Sequence, residues 1–283
     1  MLGVAEKGHP RTGLPDYEQP PVAEVAVGVQ FQPLPILAPH IGLYWSELRS
    51  SFPTVQQQPA LEPVIERFGV KQTVVPSLRL MDAPETPRCF LIDKSGHRLI
   101  QLQPDRLIHN WRKVEDSGKY PHYDAMREVF LEELRRFDAF VAREKLGSVK
   151  PNQCEVTYVN NIQSSGVWEH RGQAERVFRT WTPLASGGSL PAAEDVRFSV
   201  RYLIADDKGQ PLGRLHVTVQ PAYLKKDGSE VFAMNLTARG APEGEGIDGA
   251  MRFLDRAHRT IVWAFTDLTT ETMHRVWGRK HGS

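Results

Sequence analysis

Apolar and polar residues alternate along Val22 to Phe31, where Val25, Val27, Val29 and Phe31 are interleaved with Glu24, Ala26, Gly28 and Gln30. A period of two predicts a strand buried on one face. The period then lengthens. Ile41, Tyr44, Trp45 and Leu48 fall at helical spacing and predict a helix over Pro39 to Ser51, with proline near its start. Residues 52–86 are proline-rich and support at most one short strand, around Gln72 to Val75. Three strands follow at Arg88 to Ile92, Arg98 to Gln103 and Arg106 to Trp111; Asp93-Lys94-Ser95-Gly96 turns the chain between the first two. A long helix over Pro121 to Lys145 closes this half, with the stripe Tyr123, Met126, Phe130, Leu134, Phe137 and Val141.

The same order then recurs. Gln153 to Ile162 predicts a strand, Trp168 to Trp181 a helix, and Thr182 to Ala193 a loop. Val196 to Ile204, Gly213 to Pro221 and Glu230 to Arg239 predict a meander. A second long helix over Asp248 to Phe265 is capped by Asp248, and a last helical turn or two ends at Trp277-Gly278. The expected fold is α+β: two β-α-β-β-β-α halves, residues 21–150 and 151–283, related by a pseudo-repeat and preceded by a flexible arm at 1–20. The sheet should be mainly antiparallel with the long helices on one face. That order is similar to the TATA-binding-protein-like architecture; a helix-grip arrangement is the rival geometry.

One sheet face must then be polar. In the meander Val196, Phe198, Val200, Tyr202 and Ile204 point with Leu215, Val217, Val219, Phe232, Met234 and Leu236 toward the helices. The opposite face carries Arg197, Ser199, Arg201, His216, Thr218, Gln220, Asn235 and Thr237, extended by Glu155, Thr157 and Val159. In the first half the same logic exposes Gln30, Gln101, Gln103 and Asn110. A solvated antiparallel face is ordinarily polar. This one is rich in Gln, Asn, Thr and Arg and poor in Lys, a set suited to hydrogen-bonded recognition.

Charge narrows the partners. The chain of 283 residues holds 35 Lys and Arg against 34 Asp and Glu, and residues 1–150 contain 19 of each, leaving 16 and 15. Neither half has the basic footprint of a dedicated nucleic-acid binder, although a local patch would survive this test. The densest such patch is Asn110-Trp111-Arg112-Lys113 followed by Lys119-Tyr120-Pro121-His122-Tyr123, where rings and cations interleave; it suits either base stacking or the packing of a strand-to-helix corner. Cys89 and Cys154 cannot form a disulfide framework. No apolar leader opens the chain and no stretch approaches the ~18 apolar residues of a membrane span, so a cytoplasmic protein without membrane contact is expected.

Catalytic signatures are missing. The glycines Gly244, Gly246 and Gly249 match G-x-G-x-x-G, but they follow a meander strand and are flanked by Glu243, Glu245 and Asp248, which would repel a phosphate. His258 stands in the core-facing stripe of the last long helix, either bonded to a neighbour or acting as a switch or ligand. Glu271 and His274 could hold a metal only with ligands the sequence does not supply. No cofactor or metal is expected.

Several short motifs carry a resemblance. Pro20-Pro21-Val22-x-Glu24-Val25, Pro104-Asp105-Arg106 with Asn110-Trp111, and Tyr120-Pro121-x-Tyr123 are three of them; Glu155 to Asn160 and Phe265-Thr266-x-Leu268-Thr269 with His274-x-x-Trp277 complete the set. Over about residues 20–278 the chain resembles a sporadically distributed bacterial family of uncharacterised proteins of about this length. The resemblance implies a bacterial cytoplasmic protein of accessory or mobile gene sets, and brings no activity or catalytic residues with it. The functional expectation is a non-catalytic binding or interaction protein, such as an antitoxin, immunity or regulatory component, acting through the polar sheet face on a protein partner or a second copy of itself. Two alternatives stand beside it. One is nucleic-acid binding by Arg197, Arg201, Arg214, His216 and the patch Asn110, Arg112 and Lys113, with Thr218, Gln220 and Asn235 on the same face. The other is an enzyme whose site is scattered over several strands.

Overall fold

The computed structural model describes residues 13–69, 86–114, 118–184 and 189–280. The elements in chain order are β1 (Asp16–Tyr17), β2 (Val22–Phe31), α1 (Ala38–Leu48), β3 (Thr54–Gln58), β4 (Arg88–Ile92), β5 (Arg98–Gln103), β6 (Arg106–Arg112), α2 (Tyr123–Arg143), β7 (Pro151–Gln163), β8 (Phe198–Ala205), β9 (Pro211–Tyr223), β10 (Glu230–Gly240), α3 (Gly246–Leu268), α4 (Glu271–Val276) and β11 (Arg279–Lys280). Nine strands form one antiparallel sheet in the order β3-β4-β5-β6-β2-β7-β10-β9-β8. The opening strands β2 and β7 therefore pair with each other at its centre.

One face of this sheet is the core. Val25, Val27 and Val29 of β2, Val156 of β7, Leu215 and Val217 of β9, and Phe232, Met234 and Leu236 of β10 are fully buried there. Helix α2 lies on β2 and β6, and α3 on β7, β9 and β10. The stripe predicted for α2 is the one that packs, and Tyr44 of α1 wedges against Phe137 and Phe140, with ring centroids 5.4 and 5.0 Å away. Helix α3 comes close to the sheet at a glycine pair: Gly213 and Gly240 face each other across strands, and the ring of the fully buried Phe253 fills the space their missing side chains leave. No helix is long and apolar enough to cross a membrane among the described residues.

Four expectations need correction. Trp168 to Trp181 does not form a helix; it holds only a 3-10 turn at Ala174–Arg176. Its backbone groups bond instead to the end of α3, with Arg179 N–H donating to Leu268 and Thr270 N–H to Val177, while Gly172 lies too close to the Ala193 carbonyl for any side chain. Tertiary bonds replace the helical ladder. Asp248 is not the cap of α3, because that helix begins earlier, after Glu245. Tyr202 is 40% exposed, since β8 is the outermost strand and α3 packs mainly on β7, β10 and β9. The end of the segment expected to be a loose arm is held down: Asp16 and Tyr17 pair with Lys280 and Arg279, and Tyr17 is buried between Phe265, His274 and Trp277. The strand expected at Gln72 to Val75 lies outside the described residues.

Candidate binding face

The polar face is built in rows by strand register. One row crosses β5, β6, β2 and β7 as Gln103, Arg106, Gln30 and Gln153. The next continues as Glu155, Arg239, Arg214 and Leu203 on β7, β10, β9 and β8. Beside it lie Asn110, Ala26, Thr157, Thr237, His216 and Arg201.

In the first half this face is not open. Gln30, Gln103 and Asn110, expected in solvent, are 6, 3 and 2% exposed. For the two glutamines the physical cause is residues 59–68, which cross the face from one half to the other. Gln103 pairs with the peptide group of Leu61 twice, Oε1 accepting its N–H and Nε2 donating to its carbonyl, both at 3.0 Å. Arg106 donates to the Glu62 carbonyl at 3.1 Å. Gln30 Oε1 accepts from Val64 N–H at 3.0 Å, and Gln153 Oε1 from Glu66 N–H at 3.3 Å. The three glutamines therefore bind main chain, which is recognition independent of the bound residue's identity. Asn110 is buried differently, between Glu24 and Gln101.

A side chain completes the crossing. The Glu66 carboxylate accepts from Arg214 at 2.5 Å and faces His216 Nε2 at 2.6 Å, with Arg239 at 3.9 Å. Burial alone would raise the Glu66 pKa, but the hydrogen bonds and charges of Arg214 and His216 outweigh it and hold the carboxyl below its ordinary value. Arg214 also donates to the Arg67 carbonyl and lies 4.4 Å from the centroid of Phe68. Between the crossing segment and the sheet is a cavity of about 380 Å3, floored by Gly28, Ile108, Glu155 and Arg239. Two buried donors on its lining, Arg106 Nε and Gln153 Nε2, have no hydrogen-bond partner among the described residues.

Of the residues singled out in the sequence, Gln30, Gln103, Arg214 and His216 meet in this site. Arg201, Thr218 and Gln220 stay exposed on the same face beyond the crossing segment, and Arg197 precedes β8, 3.5 Å from Asp195. Asn235 is partly buried, with Oδ1 unpartnered among the described residues. Arg112 and Lys113 are not part of the site: Arg112 Nε donates to the Gly96 carbonyl, and Lys113 N–H to that of Ala23. Glu66, Arg106, Gln153, Arg239 and Glu155 complete it, of which only Glu155 had been placed on the face. The available signal was Pro59 and Pro63, which favour extended chain in a segment of no regular period.

The other candidates resolve into structure. Glu243 next to the glycine loop is gripped by Arg256 at 2.6 and 3.0 Å, and Gly249 packs directly on the Gly244 backbone. Glu271 sits 3.3 Å from His274, whose Nε2 meets the Thr269 hydroxyl at 2.9 Å. Among the described residues no three His, Cys, Asp or Glu gather as metal ligands. No protein-family model and no curated protein matches the chain.

Proposed function

We propose that this is a non-catalytic binding protein whose polar sheet face takes an extended polypeptide segment, the place that residues 59–68 occupy in cis. The observation that carries this reading is the pairing of Gln103, Gln30 and Gln153 with the peptide groups of Leu61, Val64 and Glu66. An acidic residue of the bound chain would be read by Arg214, His216 and Arg239, as Glu66 is. Arg106 Nε and Gln153 Nε2 remain as donors for carbonyls. The engagement of Arg214 and Arg239 with Glu66 and Glu155 favours a peptide over nucleic acid, because phosphate contacts need cations that are not already neutralised. In the bacterial accessory setting that the family resemblance implies, such a face suits an antitoxin, immunity or regulatory component.

The duplicated architecture belongs to the same proposal. In its support, β4-β5-β6-β2 and β8-β9-β10-β7 follow the same pairing order toward the centre, with β3 as an added edge strand on the first, and α2 and α3 follow β6 and β10. One continuous sheet favours a TATA-binding-protein-like arrangement over a helix-grip.

The test uses a labelled free peptide with the sequence of residues 59–68, PALEPVIERF, and fluorescence polarisation. It should bind a Glu66→Ala variant, whose own segment is loosened, and bind the parent far more weakly, because a tethered occupant competes at about millimolar effective concentration. Failure to bind a variant whose segment is shown by hydrogen exchange to be released would refute the proposal. Steeply salt-dependent retention of an oligonucleotide by the parent would favour the nucleic-acid alternative instead.

A further inference from the structure

On the helix side of the sheet, remote from the polar face, the chain forms a second, half-open pocket of about 260 Å3. Its lining comes from six separate places: residues 14–17, Pro20 and Val22 at the start of β2, Tyr120 and His122 to Asp124 at the start of α2, Tyr158 and Asn160 of β7, Leu236 of β10, and α3 from His258 to Phe265. The aromatic groups there are organised. Tyr120 and Tyr158 hydroxyls meet at 2.8 Å, and the Tyr158 hydroxyl meets His258 Nδ1 at 2.9 Å. The His258 ring in turn stacks on Tyr123, 4.0 Å away and 4° from parallel, and Tyr123 donates to Asp255 at 3.0 Å. The rings are thus locked by their neighbours rather than free to collapse into the space.

The charges on this lining are of one sign. Asp16 and Asp124 contribute carboxylates, and neither Lys nor Arg lines the cavity. Asp16 is bound by Lys280 at 2.7 Å, whereas Asp124 makes no hydrogen bond or ion pair with a described residue. Burial holds the His258 pKa down to about 4, so its imidazole adds no positive charge at neutral pH. His122, also on the lining, has φ 64° and ψ 158°, a region essentially reserved for glycine, and so a strained residue is maintained at the cavity beside the start of α2. An engineered apolar cavity of about 150 Å3 holds benzene. The present one has room for a somewhat larger molecule.

We propose that this cavity is a binding site for a small organic ammonium ion, held among the rings of Tyr120, Tyr158 and Phe265 with its charge toward Asp124. Aromatic walls attract a cation through the ring quadrupole, and attract a neutral group of the same shape much less. A carboxylate without a competing partner among the described residues supplies the counter-charge, and the apolar lining from Val22, Leu236 and Ile261 accepts the alkyl part. This site does not depend on the peptide reading of the opposite face.

Calorimetric titration of the full chain tests it with choline, butylammonium and 3,3-dimethylbutan-1-ol, the last being the uncharged carbon isostere of choline. At least one of the two cations should bind, and choline about ten-fold tighter than its isostere if the charge is what the walls recognise. Asp124→Asn should weaken cation binding about five-fold or more without a change in melting beyond that of an exposed first-turn acid. Equal binding of choline and the alcohol would overturn the proposal, as would absence of heat with both cations. Unchanged affinity in the folded Asp124→Asn variant would remove Asp124 from the site.

Discussion

The carboxylate of Glu66 is the side-chain anchor of the segment that crosses the polar face, and Glu66→Ala isolates its contribution. Its side chain is 6% exposed, and those of its partners Arg214 and His216 are 22 and 28% exposed. Hydrogen bonds to charged groups contribute ~1.5–3 kcal/mol each, and partial solvent access of both cations reduces that. Loss of the carboxylate should cost the closed position of the segment about 2 kcal/mol, a roughly thirty-fold shift in its opening equilibrium. The N–H groups of Leu61, Val64 and Glu66 report the event directly, since each is bonded to a glutamine of the sheet. Amide hydrogen exchange should show all three losing protection by a similar factor, because the segment opens as a unit, while the amides of β2 and β7 beneath it keep theirs. Lowered pH should act in the same direction. A carboxyl whose folded pKa is depressed stabilises fully above its ordinary value of 4.5 and loses that contribution as pH falls below it. If exchange at Leu61 and Val64 is unchanged in the folded variant, Glu66 is not the anchor, and the cis-occupant reasoning fails with it.

Three further outcomes follow from the packing. His258 has its pKa lowered by burial from 6.5 to about 4 against the opposing charges of Asp124 and Asp255, with Arg259 adding to the depression. Its neutral form therefore stabilises fully above pH 6.5 and loses up to roughly 3 kcal/mol as pH falls toward 4; urea unfolding of parent and His258→Gln should diverge in that window, and parallel curves would contradict it. In Gly240→Ala a Cβ would stand 2.5 Å from the Leu212 carbonyl oxygen and press into the Phe253 ring, so thermal unfolding should show a loss of about 2 kcal/mol or more. Leu203→Lys should change stability by no more than about 0.5 kcal/mol, since Leu203 is 57% exposed on the outermost strand. A larger loss would mean that this edge is covered in solution.

The strands β2 and β4 to β10, the two long helices and most of their core faces were legible in the sequence because each depends on local periodicity; β3, at Thr54–Gln58 in the proline-rich stretch, was not. Val25, Val27 and Val29 alternate with small or polar residues, and the spacing from Tyr123 to Val141 leaves one helical stripe to bury; both patterns hold in the fold. The glycine turns depend on a few neighbouring residues and are equally local. Trp168 to Trp181 was misread for the complementary reason. Its apolar spacing satisfies a helix, yet its backbone finds better partners at the end of α3, about 90 residues away in sequence, and such long-range bonds override a weak local preference.

The site divides the same way. That a polar sheet face would exist, carrying Arg214 and His216, follows from alternation alone. What covers it does not. Residues 59–68 have no period of their own, and their conformation is set by glutamines that arrive from three distant strands. The Tyr120–Tyr158–His258 network is likewise assembled from a loop, a strand and a helix that meet only after the sheet closes. Local pattern determined which faces of this protein are apolar and which are polar; only the tertiary structure decided which polar groups are already satisfied, because a hydrogen-bond partner is a matter of position in space and not of spacing along the chain.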